Sequence, residues 1–170
     1  GIVASGVVIS YLTEAFEVAA QHGFDPASAS LLEVRATNPL PSQQIGALLD
    51  HCGTILVLEE LEPYLEKGIY MEAQRRGFQG RIVGKLHGPL SRVGEYDVSH
   101  VVSGLAAALD LSIPHDLFRA TVEADGLAAR RPITVCAGCP HRGTYMAINR
   151  ALKKLRLKKD EVMVTGDIGC

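Results

Sequence analysis

The chain has 170 residues, 47% of them apolar and 21% charged, with 17 Lys and Arg against 19 Asp and Glu. This is the composition of an ordinary α/β globular protein and excludes a fibrous or disordered one. A formal charge of −2 gives no global attraction to nucleic acid or to an anionic membrane, so neither is expected as a partner.

Apolar runs such as 54–58 are strand-sized, far short of the roughly 20 residues that span a bilayer. The chain opens at Gly1 on what reads as a strand, without an initiator Met or the charged and apolar regions of a signal peptide. It is therefore expected to be an internal piece of a longer protein. Two of its four cysteines stand at Cys-x-x-Cys spacing in a chain with no secretory feature. That pattern points to a reducing, cytoplasmic setting in which thiols serve metals or redox chemistry, not structural disulfides.

Short β-branched runs alternate with helical patterns. Strands are expected at 2–4, 31–34, 54–58 and 81–84, each followed by an apolar face at the helical period. The first helix carries Leu12, Ala15, Phe16 and Ala19 on one side and stops at Gly23; the second carries Ile45, Leu48, Leu49 and Cys52 and stops at Gly53. A third starts at Pro63, the favoured first helical position, and turns Leu65, Ile69 and Ala73 inward. A fourth follows an Asp97 cap and carries Val101, Val102, Leu105 and Leu109. Strand–helix alternation of this kind predicts an α/β fold with a mostly parallel sheet.

Between 112 and 131 the regular apolar spacing lapses, which reads as a linker. A second unit then opens with a strand at 133–135, a helix with Tyr145, Ile148, Leu152 and Leu155 on one face, and a strand at 162–164. It ends on Thr165-Gly-Asp-Ile-Gly-Cys170, where a βαβ unit makes its next turn. So short a unit buries too little apolar surface to stand alone, and more chain is expected beyond Cys170.

The chemistry-bearing stretch is Cys136-Ala-Gly-Cys139-Pro-His141-Arg142, placed between a strand and a helix N-terminus. Exposed backbone N–H groups and the helix dipole favour an anion there, and thiolate is the form that binds metal or attacks a disulfide. Structural zinc wants a second Cys-x-x-Cys or a paired His, and only His141 and Cys170 are near. A thioredoxin-type dithiol also opens a helix in this way. An iron–sulfur cluster would take Cys170 from the end of the neighbouring strand and a fourth ligand from elsewhere. Two plainly buried thiols complete the set, and the residues alone leave these readings open. His141 and Arg142 share the turn and suit an anionic diphosphate or a cluster sulfur.

Elsewhere the structural readings lead. Glu59, Glu60 and Glu62 complement the dipole of the helix that follows them, with a docking or active-site edge as the alternative. Lys153, Lys154, Arg156, Lys158 and Lys159 read as the solvated end of a helix, with no interleaved aromatics to stack bases. His22 and His51 sit where an imidazole caps a helix C-terminus, while His87, His100 and His115 belong to no recognisable constellation. Asp167 reads as a turn residue that caps backbone N–H groups and has a place in a cofactor pocket.

Cys136-Ala-Gly-Cys-Pro-His-Arg142 followed by Thr165-Gly-Asp-Ile-Gly-Cys170, with Leu58-Glu-Glu-Leu-Glu-Pro63 and Leu40-Pro41 upstream, resembles the alpha subunits of indolepyruvate ferredoxin oxidoreductases, a thiamine-diphosphate-dependent family. The resemblance spans essentially the whole chain. It implies that 1–111 is a three-layer αβα sandwich like the C-terminal domain of transketolase, that 112–131 is a linker, and that 132–170 begins the thiamine-diphosphate-binding domain. It implies oxidative decarboxylation of aryl 2-oxo acids such as indolepyruvate with coenzyme A, with electrons passing through iron–sulfur clusters to ferredoxin. By the same resemblance, Cys136, Cys139 and Cys170 are ligands of a [4Fe-4S] cluster, and His141, Arg142, Asp167 and Gly169 line the cofactor site. The cofactor would be thiamine diphosphate with Mg²⁺, the metal's own ligands lying outside the chain, and a smaller beta subunit would be a partner. The commoner motif has proline where this chain has Ala137, a loss of rigidity and not of a ligand. Alone, the chain is expected to be inactive. The rivals are a dithiol oxidoreductase using Cys136 and Cys139 and a non-catalytic α/β docking module.

Overall fold

A computed structural model describes residues 1–114, 116–127, 129 and 137–165. The chain divides into two units, Gly1–Ala124 and Asp125–Cys170.

In the first unit β1 (Ile2–Ser5), β2 (Leu31–Val34), β3 (Thr54–Leu58) and β4 (Arg81–Val83) form one all-parallel sheet in the order β2-β1-β3-β4. Val3 stands opposite Leu32 on one side and Val57 on the other, and Ile55 stands opposite Ile82. The connections are α1 (Leu12–Ala20), α2 (Ser42–His51) and α3 (Tyr64–Arg76), and α4 (Val98–Leu109) follows β4.

Successive strand side chains point to opposite faces, so a strand buried on both sides reads as an unbroken apolar run. β3 shows this directly: Leu56 and Leu58 join α1 and α4 in one core cluster, while Ile55 and Val57 join α2 and α3 in the other. Two clusters on two faces make the expected three-layer αβα sandwich. α4 lies close on the sheet because Gly104 has no side chain; a Cβ there would stand 3.3 Å from Leu56 and Leu58.

Local chemistry sets the helix limits, and in two places it differs from the pattern read along the chain. Pro63 is the cap of α3 and not its first helical residue, because its ψ of 64° is not helical. α2 runs straight into β3 through an extended Cys52, so no left-handed glycine ends it. Gly23 behind α1 does take a φ of +98°, and Gly77 closes α3 at +67°. Asp97 caps α4 in a full capping box with His100.

The stretch 112–131 carries a helix, α5 (Arg119–Leu127). In the second unit α6 (Pro140–Leu155) forms as its pattern predicts, yet it has no buried residue. Tyr145, Ile148 and Leu152 line one shallow cleft with Val162 and Val164. The strand expected at 133–135 lies outside the described residues. Residues 162–164 are described and belong to no strand. Among the described residues no helix is long and apolar enough to cross a membrane.

Candidate functional site

The turn before α6 is built by three adjacent residues with different tasks. Gly138 takes φ +79°, a left-handed conformation that turns the chain, and among the described residues nothing lies within 4 Å of where a Cβ would be. Cys139 is extended at the cap position, and Pro140 supplies the fixed φ suited to the first helical residue. The Arg142 N–H donates to the Cys139 carbonyl at 3.1 Å, which closes the first turn.

This geometry brings the half-buried Cys139 thiol to 3.4 Å from His141 Nδ1, at the helix end where backbone N–H groups have no intrahelical acceptor. Arg142 is exposed beside them. The arrangement offers a soft sulfur, an imidazole and a guanidinium on one open turn, a set suited to a soft metal centre or an anionic group. Of the predicted site residues, Cys139, His141 and Arg142 are therefore brought together. Cys136, Cys170, Asp167 and Gly169 lie outside the described residues, and among those described no group of three or more His, Cys, Asp or Glu could hold a metal.

A second cluster of polar groups sits in the first unit at the carboxyl ends of β3 and β4. Glu59 accepts the backbone N–H groups of Leu65 at 2.8 Å and Glu66 at 2.9 Å, so it caps α3 from six residues upstream. Glu66, buried in the same helix, accepts the N–H groups of Lys85 at 2.7 Å and Leu86 at 3.2 Å. Gly84 makes room for this carboxylate, since a Cβ there would stand 2.5 Å from it. The Lys85 ammonium is buried, donates to the Leu61 carbonyl at 2.6 Å and lies 4.8 Å over the Tyr96 ring.

Burial dominates the titration of this cluster. It pushes the Glu59 carboxyl up against the pull of its two backbone donors and Lys85, and pushes the Lys85 ammonium down against the attraction of Glu59 and its neighbours. Burial and the nearby Glu59 push the Tyr96 phenol up to about 12. Dipole complementarity at 59–62 is legible from sequence, but Lys85 is not: its contacts come from turns separated by up to 24 residues.

Along its whole length the chain is 31% identical to indolepyruvate oxidoreductase subunit IorA of Methanothermobacter thermautotrophicus. It is 29% identical to the Archaeoglobus fulgidus subunit and 27% to that of Pyrococcus horikoshii. The chain is a relative of IorA. It spans about a quarter of the length of these IorA subunits, 26% of the first and 25% of the other two. No family model matches the chain. No solved structure matches it.

Proposed function

We propose that this chain is part of an oxidoreductase that decarboxylates indolepyruvate and related aryl 2-oxo acids oxidatively, with coenzyme A as acyl acceptor and ferredoxin as electron acceptor. The observation that carries this reading is the Cys139 turn, with its thiol 3.4 Å from His141, in a chain similar throughout to indolepyruvate oxidoreductase subunits.

The turn fits the groups the reading needs. A thiol at a helix N-terminus suits iron. Cys139 would hold a [4Fe-4S] cluster together with Cys136 and Cys170. His141 and Arg142, with Asp167 and Gly169, would face thiamine diphosphate and its Mg²⁺. When bound, thiamine diphosphate supplies the chemistry that releases carbon dioxide, and the clusters carry electrons one at a time. The chain's own part is to orient these groups, with Arg142 and the first-turn N–H groups offering positive charge to an anion. A smaller beta subunit completes the proposed assembly, in the cytoplasm.

The test is indolepyruvate- and coenzyme-A-dependent reduction of ferredoxin by the complete natural protein. Cys139→Ser is expected to reduce turnover by at least about ten- to a hundredfold, the scale of losing even an outer partner of a metal ligand. Unchanged turnover would remove the cluster from the reading. A reversible Cys136–Cys139 disulfide in protein that takes up no iron would favour the dithiol chemistry instead. The 170-residue chain by itself is expected to give no 2-oxoacid-dependent dye reduction, and turnover there would contradict the proposal.

A further inference from the structure

Cys139 stands at the cap of α6, where a side chain ordinarily accepts a backbone N–H from the second or third helical residue. Its sulfur makes no such bond, and Pro140, next in the chain, has no N–H to offer. What reaches the sulfur is a side chain: His141 Nδ1 lies 3.4 Å from Cys139 Sγ, and both residues are half-buried. The contact spans two positions, across the extended cap and the proline that starts the helix.

The direction of this bond depends on the tautomer of the ring and on the proton of the thiol. A free thiol either donates to the ring or accepts from it. A sulfur that holds iron is a thiolate without a proton, so the contact is then completed only by the Nδ1–H tautomer, with the imidazole as donor. Hydrogen bonds to the sulfurs are among the quantities that set the reduction potential of an iron–sulfur centre. Each places positive partial charge where reduction adds negative charge, which favours the reduced form and raises the potential.

We infer that His141 is a positioning residue that donates from Nδ1 to the Cys139 sulfur and so raises the reduction potential of the centre that Cys139 holds. The inference rests on the oxidoreductase reading and deepens it. The bond uses one ring nitrogen and leaves Nε2 free of this task, so a role for the ring toward an anionic cofactor does not compete with it.

The experiment is an anaerobic redox titration of the complete natural protein, with iron content, followed on the electron paramagnetic resonance signal that Cys139→Ser alters. The parent is compared with His141→Leu, which fills the space without a donor, and His141→Asn, whose amide nitrogen keeps a donor at the position of Nδ1. His141→Leu is expected to retain its iron and to shift the ratio of reduced to oxidised centre at a fixed potential by about three- to tenfold toward the oxidised form, the scale of one net hydrogen bond. For a one-electron couple that is a lowering of about 28–59 mV, and His141→Asn is expected to return at least half of it. Iron lost from His141→Leu and regained in His141→Asn supports the same bond. A parent without iron, or with no signal that Cys139→Ser alters, would overturn the cluster reading and the inference with it. A parent with that signal whose potential is unchanged in His141→Leu, or shifts equally in both variants, or whose iron is lost from both, would overturn the inference alone.

Discussion

Glu66 shows how much one buried carboxylate organises: it sits in a helix, is 1% exposed, and takes its hydrogen bonds from backbone 19 and 20 residues away. Gly84→Ala should drive a Cβ into that carboxylate, which its two donors hold in place. The expected cost is about 1–3 kcal/mol in denaturant unfolding, the usual range for overpacking. Tyr96 gives a pH test. Its folded-state phenol is raised to about 12 from an ordinary 10.0, so above pH 10 the native state binds more protons than the unfolded chain. Its contribution is fully present below 10 and lost as pH rises toward 12, and Tyr96→Phe should flatten that decline. Asp97 runs the other way. Burial opposes ionisation, but donors from Ser99 and His100 outweigh it and hold the carboxyl below its usual value. Its support for α4 is present above the ordinary carboxylate range and lost on acidification through the lowered folded value. Asp97→Ala should cost about 1 kcal/mol at neutral pH and progressively less in acid.

Elements were legible where burial is two-sided or a helix face is long. The runs at 31–34 and 54–58 are strands with those bounds because a strand covered on both faces, or an edge strand rich in branched side chains, leaves a local signature. The Asp97 cap was equally local, needing only residues three apart. The start of α3 was not, because the group that caps it is Glu59 and not its immediate neighbour. His100 carried no pattern for a different reason: Glu or Gln usually takes this place in a capping box, and here an imidazole does. For the site, the Cys139 turn was readable as a strand-to-helix motif, whereas Lys85 was hidden because its partners meet only in the folded sheet. At α4, Leu105 is fully buried, and Leu105→Ala should lower stability by about 2–5 kcal/mol, the span for deleting a core leucine side chain.

At the scale of the molecule, the two units differ in how much they bury. The first packs apolar side chains on both faces of its sheet, while α6 in the second buries none of its residues. Amide exchange should therefore be faster along α6 than along α4, since local opening is easiest where few apolar contacts oppose it. The match covers roughly a quarter of each IorA subunit. In the proposed function, Cys139 faces a redox metal centre. Its most direct test is iron content with low-temperature electron paramagnetic resonance on the complete natural protein, purified anaerobically and reduced with dithionite. An iron–sulfur signal is expected that diminishes or changes in Cys139→Ser with the fold retained; an identical spectrum and iron content in the variant would contradict that placement.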